Sequence, residues 1–284
     1  MSVLDALVLG IIQGFTEFLP VSSSGHLVIG QALMDIRVPG VAFEIAVHVA
    51  TLFSVLLVFR KRVGELLVGA LRLDPGAWRY LGLLAVATLP AVVVGLGLKD
   101  LLEALFEAPE VAGAALLLTG GFLWTSRAAL AREPVSEPGI REAVLMGLAQ
   151  AFAIIPGISR SGVTVVAGLW LGIEAEEAAT FSFLMAVPAI LGAAVLQLPD
   201  LLAAPGGAGA AGAVAAGAEA SGAGVEGAVL GSGPLLAGSL VAAIAGVLAI
   251  WTFVAMLKRK SFYKFAPYCW AVGGLFLLFV LITG

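Results

Sequence analysis

Six apolar stretches, at about residues 43–59, 81–98, 111–126, 180–198, 234–256 and 266–283, are each near the length a helix needs to cross a bilayer. Lipid tolerates only structures that satisfy every backbone N–H and C=O internally. Runs of this length, unlike short alternating ones, specify helices and exclude a barrel. Composition agrees: 61% hydrophobic residues, 12% charged and a mean hydropathy of +1.08 leave too few charges to coat a water-soluble body of 284 residues. The expectation is one all-α polytopic membrane domain over residues 1–284. Two spans carry qualifications: 43–59 starts with Glu44 and His48, and 111–126 is only 16 residues long.

Basic residues orient the spans, because cytoplasmic loops carry the Lys/Arg excess. Arg60, Lys61, Arg62, Arg72 and Arg79, then Arg127, Arg132 and Arg141, then Lys258, Arg259, Lys260 and Lys264 place three loops inside. Loop 99–110 sets Lys99 against Asp100, Glu103, Glu107 and Glu110, and 199–233 has no Lys or Arg, so both face outward. Span 180–198 must then run outward although residue 141 is already inside. Segment 142–172 therefore enters and leaves on one side, as a re-entrant hairpin with its tip at Pro156 to Ser161. By the same logic segment 1–30 is a second hairpin, entering from the opposite face.

The hairpins are related in sequence at an offset of 137: Ala6, Gly10, Gln13, Phe15, Ser22, Ser24, Gly25 and Val28 match Ala143, Gly147, Gln150, Phe152, Ser159, Ser161, Gly162 and Val165. Each half, 1–126 and 142–284, is thus one hairpin and three spans. An odd number of spans forces the halves into inverted topology, with the tips meeting near the midplane. The Gly/Ala-rich stretch at about 200–233 lacks the large side chains a core needs and is expected to be a mobile outward loop.

Ionisable and hydroxyl groups at membrane depth are costly, which marks them as functional. They cluster on the hairpins: Gln13, Glu17, Ser22, Ser23, Ser24 and His26 on the first, Gln150, Ser159, Arg160, Ser161 and Thr164 on the second. Gln13 and Glu17, four apart, project from one helix face. Pro20 and Pro156 break the helices, and serines at the following helix starts leave backbone N–H groups free. Gly25 and Gly162 let an anion approach those groups. Arg160 offers a forked donor to phosphate oxygens. Glu17 beside a diphosphate needs a balancing cation, either Arg160 or a divalent ion, Mg²⁺ or Ca²⁺ given oxygen ligands.

The segments Gln13-Gly-Phe-Thr-Glu17-Phe-Leu-Pro-Val-Ser22-Ser-Ser-Gly-His26 and Pro156-Gly-Ile-Ser159-Arg160-Ser161-Gly-Val-Thr164 resemble the two signature motifs of undecaprenyl-diphosphate phosphatases, the bacitracin resistance family. The similarity in hydrophobic layout runs through the whole chain apart from the Gly/Ala-rich stretch. It implies six transmembrane helices plus two re-entrant hairpins, in a bacterial inner membrane, with the site open to the extracytoplasmic side. It also implies hydrolysis of a polyprenyl diphosphate, which recycles the cell-wall carrier lipid and gives bacitracin tolerance. Carried over residue by residue, Glu17 and Gln13 hold the metal, Arg160 and Ser159 clamp phosphate, and Ser161 and Thr164 complete the cradle with Ser22, Ser24, Gly25 and Gly162. The nucleophile stays open between Ser23 activated by His26, His26 itself, and a water activated by Glu17 or His26; the favoured pair is Ser23 with His26.

Other readings are narrower. The lipid phosphatases related to vanadium haloperoxidases need a downstream His and Asp, and Val166 and Trp170 stand there. A lipid flippase or secondary transporter would share the inverted repeat and broken helices. Net charge −4 without a basic stripe excludes nucleic acid. A lone Cys269 precludes an intramolecular disulfide. The apolar N-terminal stretch, interrupted by Gln13 and Glu17 and lacking a basic leader, is expected to stay in the working protein. Ser182 and Thr252 are expected to bond their own helices, Glu174, Glu176 and Glu177 to be solvated, and Glu44 with His48 to form either a satisfied pair or the rim of the site. The partners implied are the polyprenyl lipid and bulk membrane lipids, with a homodimer left open.

Overall fold

A computed structural model describes residues 1–34, 42–106, 108–134, 138–203 and 232–283, which include no β-strand. The helices are α1 (Val3–Phe18), α2 (Ser23–Met34), α3 (Ala42–Val58), α4 (Arg60–Leu71), α5 (Pro75–Gly97), α6 (Lys99–Phe106), α7 (Pro109–Ala129), α8 (Ile140–Phe152), α9 (Arg160–Trp170), α10 (Ala175–Ala203), α11 (Ser232–Lys258) and α12 (Phe265–Thr283). The Gly/Ala-rich stretch lies almost wholly outside the described residues.

Every expected span coincides with a helix, but not every helix is apolar enough to span alone. Pro75–Gly97, Ala175–Leu196, Gly233–Lys258 and Phe262–Ile282 qualify. Phe43–Val58 counts as a fifth only with Arg60–Leu71, from which it is bent by 80°. At the sixth expected place, α7 does not qualify; there Thr119, Gly120 and Ser126 are buried inside the protein. Large apolar side chains such as Val93, Leu240 and Leu275 face outward on the long helices, as a lipid-facing surface requires.

Two expected loops are helical. Segment 60–79 contains α4, whose basic start leads into the apolar Leu66, Leu67 and Val68, a pattern suited to a membrane surface. It is held down where Arg62 stacks over the Tyr80 ring at 4.4 Å and reaches Glu177 at 3.8 Å, while Tyr80 donates to Glu177 at 2.9 Å. Glu174, Glu176 and Glu177 are therefore more than solvated: Glu176 pairs with Lys258 at 3.0 Å, and Glu174 accepts from the Glu176 and Glu177 amides. Segment 99–110 contains α6.

The hairpins α1–α2 and α8–α9 each pack against the other half of the chain. The first helix of one, α1, lies along α11, and the first helix of the other, α8, lies along α5. Glycines 137 apart permit both approaches: a Cβ on Gly10 would strike the Gly238 carbonyl, and one on Gly147 the Ala87 carbonyl. An aromatic cluster supports the end of α1, with Phe18 edge-on to Phe183 at 5.6 Å and Phe253 joining Phe183 and Phe262 at 5.0 Å each. Residue 17 is thereby fixed before any polar contact is considered.

Candidate active site

In the first hairpin α1 ends at Phe18, just before Pro20, and in the second α8 ends at Phe152, ahead of Pro156; a serine precedes the next helix in each. Ser22 and Ser159 cap α2 and α9 in the same way, accepting from the Gly25 amide at 3.3 Å and the Gly162 amide at 3.1 Å. Among the described residues, no carbonyl is bonded to the amides of Ser23, Ser24, Arg160 and Ser161, so each tip offers two free N–H groups at a helix N-terminus. The tips touch closely: a Cβ on Gly25 would lie 3.3 Å from the Gly157 Cα, and one on Gly162 would lie 3.2 Å from the Pro20 ring.

That contact brings the two polar segments into one network. Glu17 is 8% exposed. Its Oε1 accepts from Arg160 Nη2 at 2.6 Å across the hairpins, and its Oε2 accepts from Ser23 Oγ at 2.6 Å and Gln13 Nε2 at 3.0 Å. Arg160 Nη1 is buried with no partner. A guanidinium half bonded to a carboxylate, with its other nitrogen vacant, is ready to take an anionic oxygen.

The Ser23–His26 pair anticipated from the sequence is not formed. His26 Nδ1 faces the Ser22 carbonyl at 2.9 Å, and its Nε2 lies 2.8 Å from the Tyr268 hydroxyl. Residue 26 sits one helical turn beyond the tip, so its ring turns back onto its own helix while Ser23 faces Glu17. The group placed to take the Ser23 proton is the carboxylate.

The remaining predicted residues surround this centre. Ser24 lies 3.3 Å from Ser22, and Ser161 lies 3.3 Å from Ser159 and donates to the Leu19 carbonyl at 3.3 Å. Thr164 donates to the Arg160 carbonyl at 2.7 Å and lies 2.6 Å from Ser182, so Ser182 ties α9 to α10 instead of bonding its own helix. Thr252 does bond its own helix, through the Leu248 carbonyl.

Two contributors escaped the sequence reading, Thr119 and Tyr268, and a third, His48, was an open alternative there. His48 bonds the Glu44 carbonyl through Nδ1 at 2.7 Å, which aims Nε2 at Glu17 from 3.8 Å, the geometry of the rim alternative. Thr119 accepts from the Ser159 amide at 3.0 Å and donates to the Gly157 carbonyl at 2.9 Å. Tyr268 partners His26 from 242 residues away. None lies near a motif, and only the ionisable residue at a span start gave His48 any prior signal.

Divalent-ion ligands can be tested on one orphan. Gln13 Oε1 is buried without a partner, and turning the amide would set it beside Glu17 Oε2 and Ser23 Oγ. No three His, Cys, Asp or Glu side chains gather among the described residues. This oxygen set fits an ion that draws most of its shell from phosphate and water, as Mg²⁺ does, and does not fit a closed all-protein site.

A family model described as "Bacitracin resistance protein BacA" matches residues 6–275. The chain belongs to the BacA family. Relatives named undecaprenyl-diphosphatase cover nearly all of it: the protein of Desulforapulum autotrophicum is 40% identical over 289 residues, 96% of each chain. That of Alkaliphilus metalliredigens is 37% identical over 297 residues, 99% of this chain and all of its own. A Rhodopirellula baltica protein of the same name is 44% identical over 197 residues, 69% of this chain and 74% of its own. The family assignment and the two-hairpin network rest on separate observations, one on whole-chain similarity and one on geometry.

Proposed function

We infer that this chain is an undecaprenyl-diphosphate phosphatase, a membrane hydrolase that converts undecaprenyl diphosphate to undecaprenyl phosphate and inorganic phosphate. The observation that carries the reading is the Ser23–Glu17–Arg160 network, which joins a hydroxyl, a carboxylate and a half-free guanidinium at the meeting point of two helix N-termini. The family and the named relatives support the substrate class.

In the chemistry proposed, the terminal phosphate rests on the free amides of α2 and α9 and on Arg160 Nη1. Ser23 Oγ attacks its phosphorus while the hydroxyl proton passes to Glu17, and the phosphoanhydride bond breaks to release undecaprenyl phosphate. Water then attacks the phosphoserine and the P–Oγ bond breaks: Glu17 returns its proton to the departing Ser23 oxygen, the proton from water stays on the phosphate, and inorganic phosphate is released. Arg160 remains charged throughout and neutralises the oxyanion in both steps. Glu17 and Gln13 would hold a Mg²⁺ or Ca²⁺ ion, which when bound supplies charge neutralisation at the diphosphate. Ser159, Ser161 and Thr164 keep the second tip in shape, as Ser22, Ser24 and Gly25 do the first.

The topology that suits this site is the inverted one: two re-entrant hairpins from opposite faces, six spans, and a cavity open to the extracytoplasmic side of the bacterial inner membrane. The 137-residue correspondence of the tip contacts supports it. The test uses detergent-purified protein with farnesyl or undecaprenyl diphosphate, following inorganic phosphate with and without EDTA. The expected result is metal-dependent release without any ion gradient, lost in Glu17→Ala. A folded, metal-supplied protein that releases no phosphate would overturn the assignment and favour lipid transport, which needs no hydrolysis.

A further inference from the structure

The helix α12 is set in rotation by three consecutive residues. Trp270 donates from Nε1 to the Leu117 carbonyl at 3.1 Å and packs where a Cβ on Gly120 would be. Cys269, fully buried, points its thiol at the Pro20 carbonyl from 3.6 Å. Tyr268 then has one direction left, toward the first tip, where its ring lies parallel to His26 within 8° and its hydroxyl meets Nε2 at 2.8 Å. The contact is thus prescribed by a helix held on two other sides.

Its chemical meaning follows from the opposite ring nitrogen. The Ser22 carbonyl has no proton to give, so Nδ1 is the N–H donor in the neutral imidazole and Nε2 is the acceptor. Tyr268 is therefore the donor to Nε2. Ser22 itself holds a left-handed φ of 68°, so its carbonyl direction is imposed by the tip.

We propose that Tyr268 is a positioning residue for the phosphate site, holding His26 in one tautomer and one ring plane, with the Nε2 lone pair at the mouth of the first tip. When a phosphate oxygen arrives carrying a proton, it replaces the phenol at Nε2, and His26 accepts a hydrogen bond without first reorienting. The proposal rests on the phosphatase reading only in its kinetic consequence; the tautomer is a property of the protein alone.

The chain has two histidines, so two-bond proton–nitrogen spectra of the full-length protein in detergent, labelled with ¹⁵N-histidine, resolve both rings, and His48→Gln assigns them. Wild-type His26 should carry its proton on Nδ1 and show a hydrogen-bonded Nε2. Tyr268→Phe, which keeps the ring, should move the Nε2 signal toward that of a free imidazole nitrogen. It should also lower kcat by about tenfold with KM changed less than about twofold. Incorporated 3-fluorotyrosine, a stronger donor of nearly the same shape, should move Nε2 the other way. Tyr80 and Tyr263 contact Glu177 and Trp124 and no histidine, so they do not confuse that shift. A proton found on Nε2, or an Nε2 signal indifferent to both substitutions, overturns the proposal. Failure to release phosphate would instead remove the enzymatic reading and leave these spectra to decide the pairing.

Discussion

The first and second tips share a backbone plan and differ in what they carry on it. Ser22 and Ser24 stand 3.3 Å apart, as do Ser159 and Ser161, and both tips cap the third amide of the next helix with the leading serine. Yet at the offset of 137, Ser23 becomes Arg160, Glu17 becomes Ile154 and His26 becomes Val163. One tip keeps the hydroxyl, the carboxylate and the imidazole, and the other supplies only the cation. Gln13 still bonds Glu17, whereas its counterpart Gln150 is buried with both amide atoms unpartnered. Two similar tips thus become one polar network when a single cation crosses from one to the carboxylate of the other. The division of labour lives in three side chains, not in the fold.

If the cation belongs wholly to the second tip, Arg160→Ala should reduce phosphate release by about a thousandfold or more, with Arg160→Lys recovering only part because a point charge cannot replace the fork. A loss under about tenfold would mean the second tip does not hold the phosphate. The hydroxyl comparison is sharper still. Ser23→Ala should cost about a hundred- to ten-thousandfold in kcat, whereas Ser161→Ala, a hydroxyl of the other tip, should cost about tenfold or less. Equal losses would break the asymmetry.

The smallest effect concerns how each tip is held. Thr119 on α7 fastens the Gly157 carbonyl, and Cys269 on α12 fastens the Pro20 carbonyl, and these carbonyls are themselves 137 apart. Thr119→Val leaves the Ser159 amide and the Gly157 carbonyl buried without that partner and should destabilise by about 1 to 3 kcal/mol, with Thr119→Ser restoring most of it. Cys269→Ser should change stability by less than about 1 kcal/mol, since a hydroxyl can serve the same carbonyl. Thermal unfolding in detergent reads both, and a tolerant Thr119→Val would show the second tip to be held by packing alone.

How legible this was depends on the kind of signal. The apolar spans, the serine-glycine starts and the paired prolines are written in local pattern, because lipid and helix geometry act on each segment separately. The helices α4 and α6 inside segments 60–79 and 99–110 are not legible in the charge pattern, since loop charge marks the side of the membrane and says nothing of local helicity. The expected count of six spans met helices at six places but only four or five that are sufficiently apolar, because α7 is lined by Thr119 and Ser126 that face protein. The residues 174–177 read as plain surface charge until the helix ends they join were brought together.

By itself the sequence determined the solvent, the helical class, the two tips and the identity of the polar groups on them, all of which follow from composition and spacing within a few turns. Only the tertiary structure decided which of those groups meet. Ser23 and His26 are three residues apart and look like a pair, but the helix turns one toward Glu17 and the other toward Tyr268. Glu17 and Arg160, 143 residues apart, are joined at 2.6 Å. The physical reason is direction. Spacing along the chain says which helical face a side chain occupies, while packing of the hairpins, through glycines that admit backbone against backbone, says what that face will meet.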